Sequence, residues 1–156
     1  HIEDIARRLA VDGYLAMAPD ALTPLGGYPG DEDKARALFA QLDQGKTRQD
    51  FIAAAGALKG RPDCSGRIGV VGFCYGGGVA HHLSTQLPDL GAAVPFYGSA
   101  PKPEDVPSIK AELLVVLAVP HREYLTVGEA QFRGCLAPGG TLADLKGVFP
   151  GADWTL

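Results

Sequence analysis

A disulfide framework, a membrane-spanning run and a dominant charge are all missing from this chain of 156 residues. The three cysteines, Cys64, Cys74 and Cys135, are an odd count with no CxxC spacing. That argues against a disulfide scaffold or a zinc site and suits a reducing compartment such as the cytoplasm. The longest apolar runs, such as Ala111 to Pro120, are far shorter than the ~20 residues that cross a bilayer, so no membrane partner is expected. Fourteen basic residues against 18 acidic ones leave a net charge of −4, which gives no electrostatic reason to bind nucleic acid. The opening His1-Ile2-Glu3-Asp4 is charged at once and does not read as a signal peptide. There is no internal repeat and no initiator Met. An upstream lead-in to the first helix is therefore expected.

What is present is the composition of a packed domain. Apolar residues make up 46% and charged residues 21%, enough apolar side chain for one core and too little charge for disorder. The 21 glycines and 12 prolines point to many tight turns between short elements. We expect one domain over residues 1–156, with an irregular tail from residue 119 onward.

The pattern predicts alternating helices and strands. Ile2, Ile5, Ala6, Leu9 and Ala10 follow helical spacing, with Gly13 as the stop. Tyr14 to Ala18 reads as a short buried strand, followed by a Gly/Pro-rich loop from Ala21 to Gly30. A helix is expected from Asp31 to Leu42 with Asp31 as its N-cap, and a third helix capped by Thr47. Arg67 to Phe73 reads as a strand, Gly76 to Gln86 as a helix, Ala92 to Tyr97 as a strand, and Leu113 to Leu117 as the last strand. Strands separated by helices predict an α/β fold, a mostly parallel sheet with helices on both faces. From Val119 onward no clean period persists.

The sharpest chemical signal is Gly72-Phe73-Cys74-Tyr75-Gly76, followed by Gly77 and Gly78. It has the form G-x-C-x-G at a strand-to-helix junction, a nucleophile elbow with Cys in place of Ser. Small residues two before and two after the nucleophile are expected to let strand and helix pass closely. The helix that begins there lends its positive N-terminus, which favours thiolate over thiol. The backbone N–H of Tyr75 would point at a developing oxyanion. Two other readings stand beside this one. A buried Cys is often only a small apolar residue. A Gly-rich turn before a helix can bind phosphate, although this spacing is neither GxGxxG nor a P-loop.

These residues resemble the dienelactone hydrolase family of α/β-hydrolases over His1 to roughly Ala118. The likeness rests on several stretches. They are His1 to Arg8, Ala18 to Leu22, Pro24 to Gly27, Gln49-Asp50-Phe51, Ile68 to Gly78, and Val94 to Gly98. The resemblance implies an α/β-hydrolase fold that is incomplete here. It implies hydrolysis of a small carboxylic ester or lactone by a Cys-His-Asp triad without a cofactor. It makes Cys74 the nucleophile and the Tyr75 N–H an oxyanion donor. The family's second oxyanion donor and an active-site Glu would precede His1.

The other triad positions depart from the family. Its Asp should follow the Leu113 to Leu117 strand, where this chain has Ala118-Val119-Pro120-His121-Arg122-Glu123. Its His should follow a Tyr-Pro-Gly turn. Phe149-Pro150-Gly151-Ala152 resembles that turn, but Trp154 stands in the place of the His. Of the histidines, His81 and His82 lie two turns along the helix from Cys74 and are expected to pack or face solvent. His121 is the candidate general base that remains, against the ordinary reading of a surface loop His. Tyr97, ending the strand after the elbow, is read as core packing. Codons for Gln131 to Leu136 read one base later can encode Phe-Glu-Ala-Ala-Leu, a helix of the family's kind. A frameshifted tail would account for the lost period, Asp and His together. The alternative function is a catalytically inactive remnant or a small-molecule binding module.

Overall fold

The computed structural model describes residues 1–114, 116–117, 126, 128–134, 142–144 and 147–155. The chain forms two compact units, His1–Gly66 and Arg67–Leu156.

The first unit is helical. Helix α1 runs Ile2–Val11, with Glu3 and Asp4 in its first turn and Arg8 in its last, the order that suits the helix dipole. It ends where predicted. Gly13 takes φ 93°, a backbone region open chiefly to glycine. The Gly13 and Tyr14 N–H groups then close back on the carbonyls of Ala10 and Leu9 at 3.1 and 3.0 Å. The strand expected at Tyr14 to Ala18 does not form. The Tyr14 N–H is spent on closing α1, and no described strand pairs with this segment. Without a partner an extended run has no ladder to join. Tyr14 is 66% exposed and Met17 43%.

Asp20 organises the loop that follows, its carboxylate accepting the N–H groups of Leu22 at 2.9 Å and Tyr28 at 3.2 Å. Helix α2 spans Glu32–Phe39, and Asp31 caps it by accepting the Lys34 N–H at 2.9 Å. The helix stops short of the expected Leu42. Helix α3, Gln44–Lys59, begins earlier than predicted. Its cap is Asp43, whose carboxylate accepts the Lys46 N–H at 3.0 Å, rather than Thr47. Thr47 sits inside the first turn, buried, with its hydroxyl donating to the Asp43 carbonyl at 2.8 Å.

The second unit is a parallel α/β layer. Strand β1 is Gly69–Phe73, helix α4 Tyr75–Gln86, and strand β2 Ala92–Phe96. Strands β3, Glu112–Leu113, and β4, Val116–Leu117, both pair with β2. Ala92 faces Glu112 and Phe96 faces Val116, the same offset, so β3 and β4 share one register, where the Leu113 to Leu117 strand was expected. Every described pairing is parallel, in the order β1-β2-β4-β5-β6, where β5 is Ala143–Asp144 and β6 is Trp154–Thr155. Among the described residues the tail thus adds β5, β6 and the short helix α5, Glu129–Gly134, which the sequence pattern does not anticipate. Two-residue strands carry no periodicity of their own, and only the pairing of β5 with β4 and of β6 with β5 defines them.

Helix α4 packs on β1 and β2, burying Val79, Ala80 and Leu83 with Ala93 and Pro95. The opposite faces of β1 and β2 carry the stacked rings of Phe73 and Phe96, 4.6 Å apart. On that side Val71 and Leu114 are each 37% exposed.

Candidate functional site

Cys74 occupies the one residue between β1 and α4. Its backbone takes φ 54° and ψ −114°, a region that side-chain-bearing residues rarely adopt. The strain is held by its neighbours. The Cys74 N–H donates to the Phe96 carbonyl at 3.1 Å, and its own carbonyl accepts the Gly78 N–H at 3.2 Å. The result is the expected elbow. Strand and helix fold back on each other, and Cys74 stands exposed at the helix N-terminus. Tyr75 opens α4 immediately after it.

The glycines around the elbow divide in a way that the motif alone does not predict. A Cβ on Gly72 would collide with the carbonyl of Gly76, so a side chain there is excluded. On Gly76 a Cβ would meet nothing within 4 Å. The second tight position is Gly77 instead, where a Cβ would run into the carbonyl of Tyr97. At Gly78 it would stand 2.5 Å from the Ser99 hydroxyl. The glycine run therefore serves close backbone packing of α4 against the end of β2. The Gly78 N–H donates to the Cys74 carbonyl and so closes the first turn of α4.

The histidines separate as expected where they are described. His81 is buried on α4, and burial pushes its pKa down to about 4, so it is neutral in the folded protein. Its Nδ1 has no hydrogen-bond partner among the described residues. The candidate base His121 lies outside the described residues, as do Glu123 and Cys135.

One chemically capable residue escaped the sequence reading. Asp144 at the end of β5 is fully buried and accepts the Phe149 N–H at 2.7 Å. The register places it at the same end of the sheet as Cys74. Phe73, Phe96, Val116 and Ala143 form one row across four strands, and Cys74 and Asp144 each follow that row by one residue. Three strand spacings separate them, about 14 Å, too far for direct contact. The only signal in the sequence was an Asp within the apolar stretch Leu142 to Leu145.

The Phe149–Trp154 turn is clamped from α5. The Arg133 guanidinium donates to Glu129 at 2.8 Å, to Asp153 at 3.2 Å and to the Gly151 carbonyl, while Glu129 accepts the Gly151 N–H at 3.0 Å. Hydrogen bonding to Arg133 holds Glu129 below the usual carboxylate range, and the Leu142 N–H does the same for Asp153. Trp154, half exposed, opens β6 opposite Ala143 of β5, in the place where a base would be sought.

Among the described residues no group of His, Cys, Asp or Glu could hold a metal ion, and no helix is long and apolar enough to cross a membrane. In the first unit a hollow of about 410 Å³ lies between the Pro19 to Pro24 loop and α3. Lys46 pairs with Asp50 at 2.7 Å in its wall, Asp20 accepts backbone N–H groups of its own loop, and no Cys or His lines it.

The sequence profile of the dienelactone hydrolase family matches residues 1–121. The chain belongs to the dienelactone hydrolase family. It is 34% identical over 124 residues to "Protein usf" of Aquifex pyrophilus, an alignment covering 76% of this chain and 53% of that protein. To the mouse "Carboxymethylenebutenolidase homolog" it is 33% identical over 119 residues, 73% of this chain and 47% of the relative. A 43-residue stretch is 58% identical to the "Putative hydrolase fragment YghX" of Escherichia coli, covering 28% of this chain and 37% of that protein. The chain thus spans about half the length of the longer-matching relatives. Its parallel sheet and elbow form a partial α/β-hydrolase fold of the dienelactone hydrolase family, the fold class read from the sequence.

Proposed function

We propose that this chain carries the nucleophilic part of a dienelactone-hydrolase-type esterase, with a small carboxylic ester or lactone as substrate. The observation that carries the reading is the strained, exposed backbone of Cys74 between β1 and the N-terminus of α4. In the proposed step the Cys74 sulfur forms a bond to the ester carbonyl carbon. The Tyr75 N–H donates to the resulting oxyanion, and the C–O bond then breaks to release the alcohol. The acyl group remains on sulfur as a thioester until water cleaves it. No cofactor takes part.

The second half of that cycle is the impaired one. An indole N–H only donates and cannot take up a proton, so Trp154 is no substitute for the family's His. His121 is the base we would test first. Without an effective base, acylation runs slowly and deacylation more slowly still, because triad members act as a unit.

Mixing the protein with p-nitrophenyl acetate tests both halves. The expected result is at most one equivalent of p-nitrophenol per chain, an acetyl adduct on Cys74 by mass mapping, and negligible steady release. Cys74→Ala abolishes the burst. Steady turnover that survives in Cys74→Ala, or no acylation of Cys74 at all, overturns the reading. The second result favours a binding module that keeps only the fold. Steady turnover lost in both Cys74→Ala and His121→Ala assigns His121 the role of base.

A further inference from the structure

Two residues other than glycine have a left-handed backbone among the described residues, and they stand side by side. Cys74 has φ 54° and Tyr97 has φ 44°. Each follows one member of the Phe73–Phe96 pair that ends the β1–β2 ladder. Strain of this kind persists only where the surroundings over-determine it, so the contacts between the two segments matter. They are made by backbone. The Phe96 carbonyl accepts the Cys74 N–H. The Tyr97 carbonyl fills the space beside Gly77 in the first turn of α4. Gly98, at φ 124°, lies so close to the Cys74 carbonyl and the Gly78 nitrogen that a Cβ there would meet both. On its far side the Tyr97 N–H is anchored to the Val116 carbonyl at 3.2 Å.

From this interlock we infer that Tyr97 is a positioning residue for Cys74, acting through its own left-handed backbone. The turn at the end of β2 is the abutment on which the elbow rests. Were Tyr97 to relax to an extended φ, its carbonyl would swing away from Gly77 and the first turn of α4 would lose its stop. Cys74 could then settle into an ordinary conformation, with its thiol no longer held at the mouth of the helix. The inference assigns Tyr97 more than the core packing expected from sequence. It rests on the reading of Cys74 as the nucleophile.

The test separates backbone conformation from the phenol ring. Asn accepts left-handed φ readily, whereas β-branched Val resists it. Brief, limiting alkylation with iodoacetamide, followed by mass mapping, gives the ratio of Cys74 to Cys64 labelling within one molecule. That internal ratio discounts a general loss of stability. In the unsubstituted protein Cys74 should label well ahead of Cys64. Tyr97→Asn should keep most of that ratio, and Tyr97→Val should lower it on the order of tenfold, the equivalent of losing one strained contact. If Tyr97→Val does not yield folded protein, Tyr97→Ala replaces it, with a smaller drop expected. Equal ratios for the Asn and Val (or Ala) variants overturn the inference, and so does failure of Tyr97→Asn to fold. Equal labelling of Cys74 and Cys64 in the unsubstituted chain removes the nucleophile reading itself, a result distinct from a failure of the Tyr97 variants alone.

Discussion

A Cβ on Gly72 would stand inside the carbonyl group of Gly76, yet a Cβ on Gly76 would touch nothing within 4 Å. The two outer glycines of the G-x-C-x-G motif are therefore not equivalent. Only the first is imposed by contact. The second partner in close packing is Gly77, whose missing side chain admits the Tyr97 carbonyl.

This asymmetry gives the first prediction. Gly76→Ala should be tolerated and should stabilise by about 0.5 kcal/mol, since alanine loses less backbone entropy in a helix. Gly72→Ala and Gly77→Ala should each cost about 3 kcal/mol, because a backbone carbonyl cannot yield as a side-chain tip does. Urea midpoints for the three variants check it. Equal losses at Gly76 and Gly77 would contradict the packing described for α4 and β2.

His81 supplies a pH dependence of known sign. Its folded pKa of about 4 lies below the ordinary histidine value, because burial disfavours the imidazolium. Between those values the unfolded chain binds the extra proton and the folded chain does not, so stability rises with pH across that window. It is fully present above the ordinary value and falls as the pH drops toward about 4, by about 1.4 kcal/mol per unit. His81→Leu should flatten this slope and leave the protein at least as stable at pH 7, since it also removes a buried Nδ1 that has no partner among the described residues. Denaturation midpoints at pH 7, 6 and 5 for both proteins decide it.

Asp144 offers a third test, in the part of the chain with the poorest sequence pattern. Asp144→Ala removes the acceptor of the buried Phe149 N–H and should cost about 1–3 kcal/mol. Asp144→Asn keeps a carbonyl oxygen in place and should cost less. Amide exchange at Phe149 reports the loss directly. Unchanged protection of Phe149 in Asp144→Ala would mean that this bond does not hold the turn before Pro150.

Local chemistry explains what was legible in advance and what was not. The Asp31 cap, the Gly13 stop and the β1–elbow–α4 unit each depend on residues within a few positions of one another, so composition and spacing reveal them. The cap of α3 was misplaced for the same reason turned around. Asp43 and Thr47 are both competent caps, and the choice fell to the carboxylate that reaches the Lys46 N–H, while Thr47 closed on the Asp43 carbonyl. Tyr14 to Ala18 has a strand's composition but no partner among the described strands, and strand formation depends on the partner.

The sequence by itself determined the family, the α/β class and the position of the elbow, because an elbow is written in consecutive residues. Tertiary structure alone decided three further matters. The glycine that admits a carbonyl is Gly77 and not Gly76, Tyr97 shares the strain of Cys74, and Asp144 comes level with the elbow across the sheet. Each of these joins residues 20 or more positions apart, and such a contact exists only after parallel strands have set their register, which no local pattern encodes.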